Sequence, residues 1–177
     1  MDTKNASAAQ PNDLPPCISA LPASTGTYAL QLHLSHSQQI QVGKFAQTIF
    51  PAGNYIYLGS AFGPGGLRAR LGRHLRGPGK PHWHIDYLRC KAEVQDAGYV
   101  LAEHEYSQKL LECIWSQALS RFSEAFIPLA GFGAGDCHSG CRGHLVGFPT
   151  SDTDILERLQ NTYNLTIVNC KVLETTG

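Results

Sequence analysis

No run in this sequence approaches the ~18 consecutive apolar residues of a membrane-crossing helix, so no membrane span is expected. The opening residues MDTKNASAAQPNDLPP lack the apolar core of a secretory leader and carry acids and prolines instead. Residues 1–23 therefore read as a disordered tail rather than a signal. A disulfide framework is missing too. The six cysteines, Cys17, Cys90, Cys113, Cys137, Cys141 and Cys170, are scattered, and a cytoplasmic chain with reduced thiols is the simplest account. There is no internal repeat and no low-complexity tract. Net charge is zero, which on average argues against a nucleic-acid partner. What remains is a 177-residue chain, 42% hydrophobic, long enough to bury one ordinary core.

The averaged charge hides an asymmetry. Between Gly59 and Lys91 the bases Arg68, Arg70, Arg73, Arg76, Lys80, Arg89 and Lys91 face the single acid Asp86, whereas Glu93 to Glu124 carries six acids against Lys109 and Arg121. A basic block inside a neutral protein makes a local positive field suited to a polyanion; the plain alternative is a solvated helix face. Within that block, Tyr55-Ile56-Tyr57-Leu58 reads as a buried strand. Gly63-Pro64-Gly65-Gly66 forces a turn, and Leu67, Leu71 and Leu75 form the stripe of an amphipathic helix. Arg70, Arg73 and His74 share another side of it. Strand, glycine loop and cationic helix together are a way to hold a phosphate.

The rest of the chain predicts an α+β domain, a small and mainly antiparallel central sheet flanked by helices. Strands are expected over Thr27–Leu34, Ile40–Val42, Phe45–Phe50 and Val94–Leu101. A helix is expected over Glu105–Ser120 with Leu111, Ile114 and Ala118 inward, and a terminal helix over Asp152–Tyr163, followed by a strand around Leu165–Val168. The stretch from His82 to Leu88 stays open: as a helix start it groups His82, Asp86 and Arg89, and as a strand it groups His82, His84 and Asp86. The organisation is then a tail over 1–23, a domain over 24–150 and a helical extension over 151–177.

Gly26-Thr27-Tyr28 followed by Tyr57-Leu58-Gly59 resembles the paired motifs of the GIY-YIG nuclease superfamily. In that family an arginine lies one helical turn after the loop, and a Tyr or His follows one turn later; Arg70 and His74 hold those places. The family's later glutamate often sits in a leucine-leucine-glutamate stretch, as in Leu110-Leu111-Glu112. More closely, GTYAL, YLGSAFGPGGLRARLGRHLR, HWHIDYL and GFGAGDC are similar to the branch sometimes fused to endonuclease III-like DNA glycosylases. The likeness runs from Gly26 to Phe148. Two features depart from it. The span between the paired motifs is longer than the usual short hairpin, implying an elaborated meander, and the asparagine common after the final strand has no counterpart.

What the resemblance implies is a metal-dependent endonuclease cutting DNA phosphodiesters by water attack, in repair or processing. Glu112 would be the single protein ligand of Mg²⁺ or Mn²⁺, and one carboxylate suits an ion that keeps its waters. Arg70 would stabilise the transition state, guanidinium matching phosphate in fork geometry. Tyr57 or Tyr28 would handle the water's proton if its phenol is acidified from about 10, with His74 as the competing base. Gly59 would let the backbone approach the substrate, beside Ser60, where the repair branch commonly has lysine. Arg68, Arg73, Lys80, His82 and His84 complete the candidate contacts to DNA, with Trp83 a stacking platform or a core anchor. So few cations imply weak, steeply salt-dependent binding and a targeting partner such as a DNA glycosylase or another repair protein. An accessory DNA-binding module with little turnover is the alternative. Separately, Cys137, Cys141 and His144, with His138 beside them, offer sulfur and imidazole to zinc. The spacing is not that of a standard finger and lacks a second half-site, so these read first as structural loop cysteines, with a redox-labile pair as a further alternative.

Overall fold

The chain is organised about β1 (Gly26–Leu34), whose two faces are both covered, so its side chains are buried almost without interruption. Alternation along a strand assigns them to opposite sides. Tyr28, Leu30, Leu32 and Leu34 enter one core, and Ala29 enters the other. In the structure, a computed structural model, residues 15–77, 79–102, 111–135 and 137–168 are described.

After β1 come β2 (Gln38–Ile40) and β3 (Thr48–Phe50), a separate two-stranded ribbon. This ribbon is the elaboration implied by the long span between the two motifs. β4 (Gly53–Ser60) returns antiparallel to β1, with Thr27 opposite Ser60, Tyr28 opposite Gly59 and Leu30 opposite Tyr57. Next follow α2 (Gly66–Arg76), α3 (His84–Arg89), β5 (Glu93–Leu101), α4 (Leu111–Leu119), β6 (Leu145–Phe148), α5 (Ile155–Tyr163) and β7 (Thr166–Val168); a single helical turn, α1 (Pro16–Ser19), precedes them all. The sheet is five-stranded and antiparallel in the order β6-β4-β1-β5-β7, with helices on both faces, an α+β arrangement. On one face Leu67 and Leu71 of α2 and Ile85 and Leu88 of α3 join Phe50 and Phe132. On the other, Trp115 and Leu119 of α4 meet Ile155, Leu156 and Leu159 of α5.

Several expectations are corrected. Order begins before residue 24: Ile18 and Leu21 are buried, and Ile18 packs near Gly72 of α2; residues 1–14 lie outside the described set. Cys17 is disulfide-bonded, so the thiols are not all reduced. The stretch after residue 150 is no appendage, because β7 pairs with β5 and α5 closes the second core. The inward side of α4 is offset from the expected one. Trp115 and Leu119 are buried while Ile114 is 46% exposed; residues 105–110 of the expected helix lie outside the described set. The open reading of His82–Leu88 resolves to a helix. The Asp86 carboxylate accepts the backbone N–H of both His82 and Trp83, 2.8 and 2.9 Å away, which caps the first turn as a capping box does. Among the described residues no helix is long and apolar enough to cross a membrane.

Candidate active site

Where β4 ends, α2 crosses one face of the sheet and α4 the other, leaving a cavity of about 470 Å³ between them. Tyr57, Gly59 and Ser60 of β4 line it, with Arg70 of α2 and Glu112 and Cys113 of α4; the Gly133–His144 segment forms the remaining wall. That segment is held at three points. Gly133 donates its N–H to His84 Nδ1 at 3.0 Å, Gln117 Nε2 donates to Ser139 O at 3.2 Å, and the Ser116 hydroxyl donates to Gly143 O. His144 then leads into β6, where its carbonyl accepts the Leu58 amide at 2.9 Å.

Glu112 is the one carboxylate lining the cavity among the described residues, its side chain 19% exposed. Burial raises its pKa, and the Ser60 hydroxyl and the Arg70 guanidinium pull the other way. His144 Nδ1 lies 3.9 Å from Glu112 Oε1; its Nε2 is buried with no partner among the described residues. Burial holds this imidazole neutral by lowering its pKa, against a smaller opposing effect of the Gly133 backbone. Arg70 Nε is likewise buried with no partner among the described residues, and its guanidinium carbon stands 4.7 Å from the Trp83 ring centroid. A lone hard carboxylate in a cavity with room for waters fits a Mg²⁺ or Mn²⁺ ion.

Behind the cavity runs a second network. The Tyr28 hydroxyl and His74 Nε2 are 3.0 Å apart, and His74 Nδ1 faces Asp86 Oδ1 at 3.8 Å. With the proton on Nδ1, Nε2 accepts from the phenol. Asp86 is gripped by both Arg73 nitrogens, at 3.0 and 2.9 Å. Burial alone would raise its pKa, but Arg73 and the Trp83 and His82 amides outweigh it and hold the carboxyl low. The ion pair of Asp86 is with Arg73, while Arg89 donates to the His74 carbonyl at 2.8 Å.

The sequence candidates thus divide. Tyr57, Gly59, Ser60, Arg70 and Glu112 converge on the cavity, with Cys137 and His144 beside them. Tyr28 and His74 do not line it; they are 0% and 2% exposed and meet one another behind it. Burial drives His74 to a pKa of about 4, Asp86 opposing, so it is a neutral internal partner and not a surface cation. Arg70 alone, without a metal, does not acidify either phenol: burial pushes Tyr57 up to about 12 and Tyr28 well above its usual value, with Arg70 pulling each only partly back. Gly59 has a different reason from the one expected. A Cβ there would fall 2.5 Å from Tyr28 Cζ, so the glycine makes room for a ring.

The helix N-terminus is not a phosphate cradle either. Leu67 N–H donates to Ser24 O at 3.0 Å and Arg68 N–H to Pro22 O at 2.9 Å, so the preceding loop already takes the donors that an anion would need. Arg68 Nε is spent on Leu21 O at 2.7 Å, and Arg73 on Asp86. Lys80 and His82 are exposed and outside the cavity, and His84 braces Gly133. Sequence reasoning missed the approach of His144 to Glu112 and the place of Cys113 in the wall. The signal was the LVGF strand directly after His144, but its pairing with β4 is a long-range fact.

Residues 27–167 match the family described as domain of unknown function DUF123. No curated protein and no solved structure matches the chain. With the match spanning most of its length, and with the paired GTY and YLG strands side by side in the sheet, the chain belongs to DUF123, a GIY-YIG-like family.

Proposed function

We propose that the chain is a divalent-metal-dependent endonuclease that hydrolyses phosphodiester bonds in DNA. The observation that carries this reading is the convergence of Tyr57, Arg70 and Glu112, from three separate elements, on one cavity. Mg²⁺ or Mn²⁺ held by Glu112 would supply Lewis acidity at the scissile phosphate. Arg70 offers an Nε with no partner among the described residues and a guanidinium steadied on Trp83, and stabilises charge on the phosphoryl oxygens by fork geometry. A phenol pushed up to about 12 stays protonated at neutral pH. Tyr57 therefore orients the water by donating a hydrogen bond, and the neutral His144 beside Glu112 is the better proton acceptor. Tyr28, His74 and Asp86 position these groups from behind. Targeting by a DNA glycosylase or another repair protein, fused or associated, would compensate for the few free cations.

The test is cleavage of labelled single-stranded, duplex and branched DNA with Mg²⁺ or Mn²⁺ by the wild type, Glu112→Gln and Arg70→Ala. We expect cutting by the wild type and a loss of about 10²-fold or more in each variant. No cutting on any substrate with DNA binding retained would replace the nuclease by the accessory binding module. Equal cutting by all three proteins would mean that the site lies elsewhere.

A further inference from the structure

We infer that Cys113, Cys137 and Cys141 form a structural zinc site that fastens the Gly133–His144 wall of the cavity to α4. The three Sγ atoms all lie within 4.8 Å of one another, with Cys137 and Cys141 3.2 Å apart. Thiolates around tetrahedral zinc, with Zn–S bonds of ~2.3 Å, stand ~3.8 Å from each other. The cluster is therefore already the size of that coordination set. Its closest pair is well beyond the ~2.05 Å of a disulfide bond. Cys113 comes from the first turn of α4 and the other two from the loop, so this is the half-site that the Cys137–Cys141 spacing lacks on its own.

His144 is not part of the cluster; it turns towards Glu112 instead. The exposed His138, next in sequence to Cys137, also lies outside the cluster, so the fourth position falls to water or to His138 once its side chain turns inward. Soft sulfur ligands select zinc over Mg²⁺ or Mn²⁺. Three thiolates also leave Zn²⁺ with a net charge of −1, a poor Lewis acid for a phosphate, so the ion would be an anchor rather than a second catalytic metal. What it anchors matters: Glu112 is the residue before Cys113, and His144 lies three past Cys141. The inference stands whether or not the cavity cuts DNA.

The test uses the full chain purified without chelator. Elemental analysis should find about one zinc per chain, and cobalt exchange should give thiolate-to-cobalt charge transfer with strong tetrahedral visible bands. Mass-resolved alkylation of the native protein supplies an internal control, because Cys90 is free and exposed. Cys90 should label first, and the half-buried Cys137 and Cys141 only after a chelator is added. Cys137→Ser should lose the zinc and unprotect Cys141; should that variant not fold, the three wild-type measurements still decide. Zinc at background, with Cys137 and Cys141 alkylated as fast as Cys90, would overturn the site. So would a zinc-free chain whose mass shows these two cysteines joined as a disulfide.

Discussion

His74 has the most informative ionisation in the molecule. Its pKa is about 6.5 in the unfolded chain and about 4 in the fold, so the fold favours the neutral ring. The resulting stability is fully present above pH 6.5 and is lost as pH falls through about 4. The difference corresponds to about 3 kcal/mol. Urea midpoints of the wild type should therefore fall between pH 6.5 and 4, and His74→Asn should flatten that slope even if it lowers the plateau. An unchanged slope would place the acid sensitivity on another group. Asp86 acts in a lower window: its carboxyl is held below the usual range, so its contribution is lost only as pH falls below the ordinary carboxylate value. The sequence could put His74 on one side of a helix with Arg70 and Arg73. It could not say that Trp83 would close over that side, with its ring 5.6 Å from the imidazole. Spacing fixes which residues share a face; what covers the face is decided elsewhere in the chain.

The start of α2 shows how a glycine motif of phosphate-loop appearance can serve the fold instead. Gly66 has φ +53, and a Cβ there would run into the Ser24 and Ala23 carbonyls; Gly63, three residues earlier, has nothing within 4 Å. Gly66→Ala should destabilise the protein by roughly 2–4 kcal/mol, from strain and the lost approach of residues 22–24. Gly63→Ala should lie within about 0.5 kcal/mol of the wild type. Equal urea midpoints for the two would mean that the loop is not packed as described. At this scale the sequence was most legible where period and punctuation agree, as in α2 with its leucine stripe and Gly77 stop. It was less so in α4, where a segment rich in apolar residues offers more than one inward side. There the largest ring took precedence: Trp115 is fully buried and Ile114 is left 46% exposed.

Across the whole molecule, the zero net charge and the basic block have to be reconciled. Part of the block is engaged within the fold: Arg73 serves Asp86, Arg89 serves the His74 carbonyl, and Arg68 Nε serves the Leu21 carbonyl, while Arg68, Arg76, Lys80 and Lys91 remain on the surface away from the cavity. Arg70 is the arginine of the block that lines the cavity. With roughly one or two phosphates neutralised, log K for duplex DNA should fall against log salt with a slope of about −1 to −2, shallower than the charge count alone suggests. Fluorescence anisotropy with Glu112→Gln between roughly 50 and 200 mM salt measures it; a slope beyond about −4 would mean that cations away from the cavity carry the binding. The parts of the site come from β4, α2, α4 and the segment before β6, so their meeting depends on strand alignment. Tyr28 lies opposite Gly59. Sliding β4 by two residues would keep every side chain on its own face, but would bring Tyr57 or Ala61 opposite Tyr28, each with a Cβ where the phenol must pass. The glycine is thus a keyway cut into one strand for a key carried by the other, and a single missing methyl group sets the alignment on which the cavity depends.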